Sequence, residues 1–267
     1  MRIPVGARRG RTHRGGRVVL ARGLWGAAET AVTVGVVVLL LVVHQLWWTN
    51  RQAAEGARRQ VRVLEREWGG SGPGEAGREP VSGASGRSDA DGRDGAESAG
   101  SPGVGGGTAS THRRMPRWEQ AYAILRIPRL GLVAPVAEGT AKRGVLDKGY
   151  VGHYAGTAQP GQPGNFAVAG HRNTHGEPFR RLDRLRAGDT VEVETRDAVF
   201  TYRVDQRLPQ TSAGDGGVIA AVPRSGVKPV YGYGEPGHYL TMTTCTPEYT
   251  SKYRLVVWGR LASMRPR

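Results

Sequence analysis

The chain has 267 residues, a formal net charge of +15, 41 Gly, 16 Pro and a single Cys. Hydrophobic residues make up 38% and aromatics 7%, too few for one globular unit of this length, so the apolar residues must be concentrated in part of the chain. One Cys excludes an intrachain disulfide framework and any multi-cysteine zinc site. The basic excess is spread out: residues 1–23 hold seven Arg and no acid, and residues 117–267 hold 21 Lys+Arg against 13 Asp+Glu. No segment interleaves Arg with stacking aromatics, and no zinc-finger or basic-zipper pattern occurs. The charge therefore speaks against a nucleic-acid partner and for a membrane-flanking tail plus a solvated surface.

Residues 27–48 (AAETAVTVGVVVLLLVVHQLWW) follow the basic tail of residues 1–26. Thr30 to Val43 carries no charge, and Trp47 and Trp48 close the run. As a helix these residues cover roughly 33 Å, the thickness of a bilayer core, with indole rings at headgroup level. The length and the Trp pair favour an uncleaved anchor over a secretory leader, although Ala54-Glu55-Gly56 loosely fits a cleavage site. The Arg-rich tail predicts a cytoplasmic N-terminus and an extracellular remainder in a single-pass membrane protein.

Residues 49–116 separate the anchor from the rest. Residues 51–68 (RQAAEGARRQVRVLEREW) can continue as a short polar helix. Residues 69–110 hold 14 Gly and only two sizeable aliphatics, Val81 and Val104. Such a segment cannot bury enough apolar surface to offset its chain entropy, and it reads as a flexible tether on which the following domain searches above the bilayer.

From Arg117 to the end the texture is all-β. Ala123–Ile127, Leu132–Val136, Phe166–Ala169, Thr190–Thr195, Val199–Val204, Tyr239–Thr244 and Tyr253–Trp258 read as short strands between Gly, Pro and Asp turns. Pro178–Leu185 (PFRRLDRL) alone has helical spacing. The pattern predicts a closed or nearly closed all-β domain of about 150 residues, enough for an independent core.

Cys245 stands where a strand ends and a turn begins, a place where reactive side chains are displayed. By itself a lone Cys is as readily a small apolar filler. A thiolate needs a base or a positive charge beside it. Of the seven His, His13, His44 and His112 fall in tail, anchor and tether. His153 and His175 lie in Gly-rich loops, and His171 emerges from the strand run Phe166-Ala-Val-Ala-Gly170. If the last two strands form an antiparallel hairpin, Cys245 and Arg254 fall side by side, where a guanidinium can bind an oxyanion or can simply be solvated.

The segments GYVGHYAGTAQPGQPGNFAVAGHRN (149–173) and TMTTCTPEYTSKYRLVVWG (241–259) resemble the sortases, membrane-anchored cysteine transpeptidases. The resemblance rests on a His after a buried strand, a Thr-x-Thr-Cys strand end and an Arg opening the next strand. These are His171, Cys245 after Thr244, and Arg254, within a match from about Tyr122 onward.

That resemblance implies the sortase eight-stranded β-barrel with short helices. It implies a catalytic set of Cys245, His171 and Arg254, with Thr244 and Tyr154 at the substrate. The substrates would be secreted proteins with a C-terminal sorting signal, cleaved between Thr and Gly and joined through a Cys thioacyl to a cell-wall amine. Tyr154 in GHYAGTA and the TTCTP run are similar to class E sortases of high-GC actinobacteria, associated with Leu-Ala-x-Thr-Gly in place of Leu-Pro-x-Thr-Gly. No Asp-Pro lid motif is present and the chain ends in LASMRPR, which speaks against a pilus polymerase. A class D sortase, a thiol hydrolase and a catalytically silent peptide-binding module remain as alternatives. Glu138 and Asp183 read as isolated carboxylates, so neither a metal nor a cofactor is expected.

Overall fold

A computed structural model describes residues 13–69 and 116–267, with burial and side chains from residue 25 onward. The first part of the basic tail and nearly all of the expected tether lie outside the described residues. Helix α1 runs unbroken over His13–Gly69. From Trp25 onward it is long and apolar enough to cross a membrane, and its apolar stretch is wholly exposed. The polar helix expected at 51–68 is thus the continuation of the anchor.

Eight strands close into one barrel: β1 (Ala121–Ile127), β2 (Leu132–Glu138), β3 (Val151–His153), β4 (Gly164–Ala169), β5 (Thr190–Glu194), β6 (Ala198–Ser212), β7 (His238–Thr246) and β8 (Tyr253–Pro266). Around the barrel the order is β1-β2-β3-β4-β7-β8-β6-β5, closed by antiparallel pairing of β5 with β1. Two neighbouring pairs, β2 with β3 and β4 with β7, are parallel. Closure leaves no long unpaired edge. β6 and β8 are longer than their sequence patterns suggested, 15 and 14 residues, with bulges that let them bend around the barrel.

The seven strands expected from alternation all form. β3 was not legible: three residues in a Gly-rich stretch are too few to alternate. It carries His153, which is wholly buried in the barrel and not in a loop. Nor is Glu138 isolated, since one of its oxygens accepts from His153 Nδ1 at 2.8 Å. The other ring nitrogen, Nε2, faces the Ala158 carbonyl at 3.1 Å and the Thr157 hydroxyl at 2.9 Å. That hydroxyl spends its own proton on the Tyr154 carbonyl. Both ring nitrogens are therefore engaged, and the ring is held between Glu138 and the Thr157–Ala158 turn. Pro178–Leu185 yields only a 3-10 turn at Leu182–Arg184, with Phe179, Leu182 and Leu185 buried as plugs of the barrel core.

Alternation along the strands explains the layers. Ala123, Leu125 and Ile127 of β1, Leu240 and Met242 of β7, and Leu255 and Val257 of β8 face the interior. The opposite faces are also apolar in two places, and each is covered. Ile124 points outward yet is wholly buried, because Val61, Leu64 and Trp68 of α1 lie across it together with Ala121, Ala137 and Val145. Full burial of one such aliphatic side chain contributes about 1.5–3 kcal/mol. On the other side Leu208, Tyr239, Val256 and Trp258 lie under Val218 and Tyr233 of the β6–β7 connection.

Asp215 anchors that connection. It accepts from the hydroxyls of Thr211 and Ser225 and, at 2.9 Å, from the Gly226 N–H. Burial alone would raise its carboxyl. Donation from Ser225, Thr211 and the backbone of Gly226 and Val227 overcomes this and holds it below its ordinary value. The folded pKa is depressed, so the stabilisation is present above the unfolded value of about 3.9 and is lost as pH falls through the folded one. The unfolding free energies of the wild type and Asp215→Asn should therefore differ most near about pH 6 and converge as pH falls through the depressed folded-state value, as measured by urea titration at each pH.

Candidate active site

Parallel pairing of β4 with β7 builds the site. Ala169 is opposite Thr243, the Gly170 N–H donates to the Thr243 carbonyl at 3.2 Å, and the buried Thr244 hydroxyl donates to the Gly170 carbonyl at 2.8 Å. Continuing that register by two residues, past the end of the regular ladder, sets His171 level with Cys245. The antiparallel hairpin of β7 and β8 then places Cys245 directly opposite Arg254, as the turn spacing predicted. Three neighbouring strands thus deliver His171, Cys245 and Arg254 to one end of the barrel.

His171 Nε2 lies 2.9 Å from an Asp147 carboxylate oxygen. The carboxylate can only accept, so Nε2 carries the proton and Nδ1 is left for other work. Asp147 sits in the short turn Leu146–Lys148 between β2 and β3. It was not singled out from the sequence, where nothing links it to a His 24 residues away. His175 joins the pair: its ring centroid is 5.4 Å from that of His171, and its buried Nδ1 lies 3.6 Å from the same Asp147 oxygen. His175 and Glu177 both take left-handed backbone conformations, which non-glycine residues adopt sparingly. The donor atoms of Asp147, His171 and His175 lie within 4.8 Å of one another. Two imidazoles and one carboxylate suit zinc better than calcium, and a cation there would occupy His171.

Cys245 is half-buried and free. Arg172, which follows His171, is a second residue that sequence patterning missed. Its buried guanidinium donates from Nη1 to the Cys245 carbonyl at 3.3 Å and to the Thr246 hydroxyl at 3.0 Å, and Nη2 stands 3.5 Å from Asp183. Asp183 is thus paired and not isolated. Arg254 donates from Nη1 to the carbonyls of Ser251 and Tyr253 at 2.9 and 3.0 Å, bracing the β7–β8 turn. The half-buried Tyr154 sets its hydroxyl 3.0 Å from that of Thr243, next to the same strand end. The Thr244 hydroxyl is committed to Gly170, so its place is in the strand clamp.

Arg172 yields a prediction. Arg172→Met leaves the Cys245 carbonyl and the Thr246 hydroxyl without their donor. Orphaning a buried polar group costs about 1–3 kcal/mol, and these half-buried partners fall at the low end of that range. Urea unfolding should show a loss of that size, and amide exchange should accelerate at Cys245 and Thr246 while β1 and β5 are unaffected.

A family model described as a sortase domain matches residues 125–262. The chain is 39% identical to sortase SrtE1 of Streptomyces coelicolor, over 97% of this chain and 62% of that protein, so it spans less than two thirds of that relative. It is 31% identical to sortase SrtE2 of the same organism, over 95% of this chain and 87% of that one. The crystal structure of sortase E1 from Streptomyces coelicolor, which holds a tripeptide in its active site, superposes with a TM-score of 0.52 at 50% identity, over 56% of this chain and 92% of that one. The family model covers more than half of the chain, and the chain belongs to the sortase family of cysteine transpeptidases.

Proposed function

We propose that this chain is a class E-type sortase. In this reading it cleaves the Thr-Gly bond of a C-terminal sorting signal and joins the released protein to a cell-wall amine. The observation that carries the reading is that Cys245 faces Arg254 across the β7–β8 hairpin while His171 follows the end of the neighbouring β4 by two residues. The similarity to two sortases of the E type supports the class.

The Cys245 thiolate attacks the Thr carbonyl carbon, and a C–S bond forms as the carbonyl electrons move onto oxygen. Among the described residues, Arg254 bonds only through Nη1, so its Nε and Nη2 remain for that oxyanion. His171, oriented by Asp147 through Nε2, delivers a proton from Nδ1 to the departing Gly amine, and the C–N bond breaks. The thioacyl is then attacked by the acceptor amine. Its proton goes to His171, and Cys245 leaves as thiolate. Tyr154 reads the residue after Leu in the signal, and Thr244 aids indirectly by tying β7 to the residue before His171. The Arg-rich N-terminal tail favours an N-in, C-out topology, with the barrel outside the cell.

The test pairs quenched Leu-Ala-x-Thr-Gly and Leu-Pro-x-Thr-Gly peptides with a glycine-based amine. Ligated product marks a transpeptidase, and hydrolysis alone would mark a thiol hydrolase. Cys245→Ala should abolish cleavage and thioacyl formation with little change in Tm, and residual transpeptidation would overturn the assignment.

Arg254→Lys should lower kcat at least about tenfold and KM less, because a compact ammonium cannot replace directed guanidinium donors whose loss typically costs about 2.7–4 kcal/mol. Arg260 in the same strand pairs with Asp205 at 3.0 Å, and Arg260→Lys is the control that should be nearly silent. Equal effects of the two would remove Arg254 from the transition state.

A further inference from the structure

The part of α1 that follows the apolar stretch is seated on the barrel, and its seat adjoins the candidate active site. Asn50, Ala53, Ala57, Val61, Leu64 and Trp68 recur at spacings of three and four, one stripe of a helix. At the far end Trp68 lies under the Arg267 guanidinium at 5.0 Å, and Glu65 pairs with Arg126 of β1 at 2.6 Å. In the middle Val61 and Leu64 cover Ile124.

At the near end the Asn50 carboxamide oxygen accepts from the Gly176 N–H at 2.6 Å. Two glycines make this approach possible. A Cβ on Gly149 would stand 3.0 Å from the Ala53 carbonyl oxygen, and one on Gly176 would stand 3.1 Å from the Ala54 nitrogen. Both have left-handed backbones, with φ of 78° and 82°, where a side chain is strained in any case. Gly176 directly follows His175, whose ring neighbours that of His171.

The change from fully exposed apolar helix to docked helix falls at Asn50, two residues after the Trp pair. From Trp48 to Ala54 the helix rises about 9 Å. The His171-bearing loop therefore lies within about two helical turns of the level where indole rings meet headgroups.

We propose that the docked helix acts as a ruler. It holds the catalytic site at a set height over the bilayer, and so selects substrates by the distance between their scissile bond and their own membrane segment. The proposal rests on the transpeptidase reading above. An extended chain covers about 3.3–3.6 Å per residue, so a bond separated from its membrane segment by about three to five residues reaches the site. A barrel freed from the helix would lose that set height, and short spacers would seldom reach it.

The experiment uses the full chain reconstituted in vesicles. Membrane-spanning substrates carry Gly-Ser spacers of about 4, 10 or 20 residues after the scissile bond, and a soluble signal peptide serves as reference. The wild type should turn over the shortest spacer fastest. Val61→Asp with Leu64→Asp breaks the seam outside the barrel core. It should lower short-spacer turnover at least about tenfold, move the optimum to the longest spacer, and leave soluble-peptide turnover within about twofold. An unchanged spacer profile would overturn the ruler.

A second readout needs no turnover. With Thr174→Cys labelled by a donor dye in a Cys245→Ala background, energy transfer to headgroup-labelled lipid should be strong and should fall when the two Asp substitutions are added. Equal transfer in both overturns the proposal. If neither enzyme cleaves the soluble peptide, the transpeptidase reading fails, and the energy-transfer comparison still decides the height.

Discussion

The parallel pairing of β4 with β7 is the constraint on which the site depends. Antiparallel neighbours run in opposite directions, so residues just past their paired ends part at opposite ends of the sheet. Parallel neighbours deliver the residues that follow them to the same end. Here both strands run out together after Ala169 and Thr243, so His171 and Cys245, each two residues further on, leave at the same end. The Thr244 hydroxyl on the Gly170 carbonyl and the Arg172 guanidinium on the Cys245 carbonyl brace that continuation where the regular ladder stops. A reactive group on a braced strand end keeps its geometry better than one on a free loop.

Two outward apolar patches of the barrel each have a cover, because strand alternation makes a cluster of outward apolar residues a liability unless something packs on it. The β6–β7 connection covers Tyr239, Val256 and Trp258 on one side and is itself held by the buried carboxylate of Asp215. The helix covers Ile124 on another. Both covers border the strands of the site: the first lies over β7 and β8, and the second reaches the loop that follows His171. Barrel closure, site and attachment to the apolar helix are therefore coupled through shared side chains.

The site itself is assembled from short sequence pieces that are far apart. Asp147 comes from a turn after β2, His171 and His175 from the exit of β4, and Cys245 and Arg254 from the β7–β8 hairpin. Each local piece is a tight turn or a strand end, which suits backbone rigidity, and the left-handed conformation of His175 belongs to the same compact exit. The Asp147 carboxylate fixes the direction of the His171 ring, as the proposed proton transfer requires.

Much of this was legible in the sequence. The apolar run closed by two Trp, the alternating strands, the Cys at a strand end and the nine-residue offset to Arg254 are local patterns, and local patterns follow from side-chain period and turn chemistry alone. What sequence could not decide was anything set by contact between remote segments. The pairing of Asp147 with His171, the burial of His153 against Glu138, the hold of Arg172 on Cys245 and the seating of residues 50–68 on the barrel all depend on closure of the sheet. The stripe of Ala57, Val61, Leu64 and Trp68 was written in the polar helix, but a stripe that narrow among five Arg and three Glu reads as solvated until the outward face of Ile124 is known to lie opposite it. Side-chain period sets which faces are apolar, and only the closed barrel determines which of those faces meet.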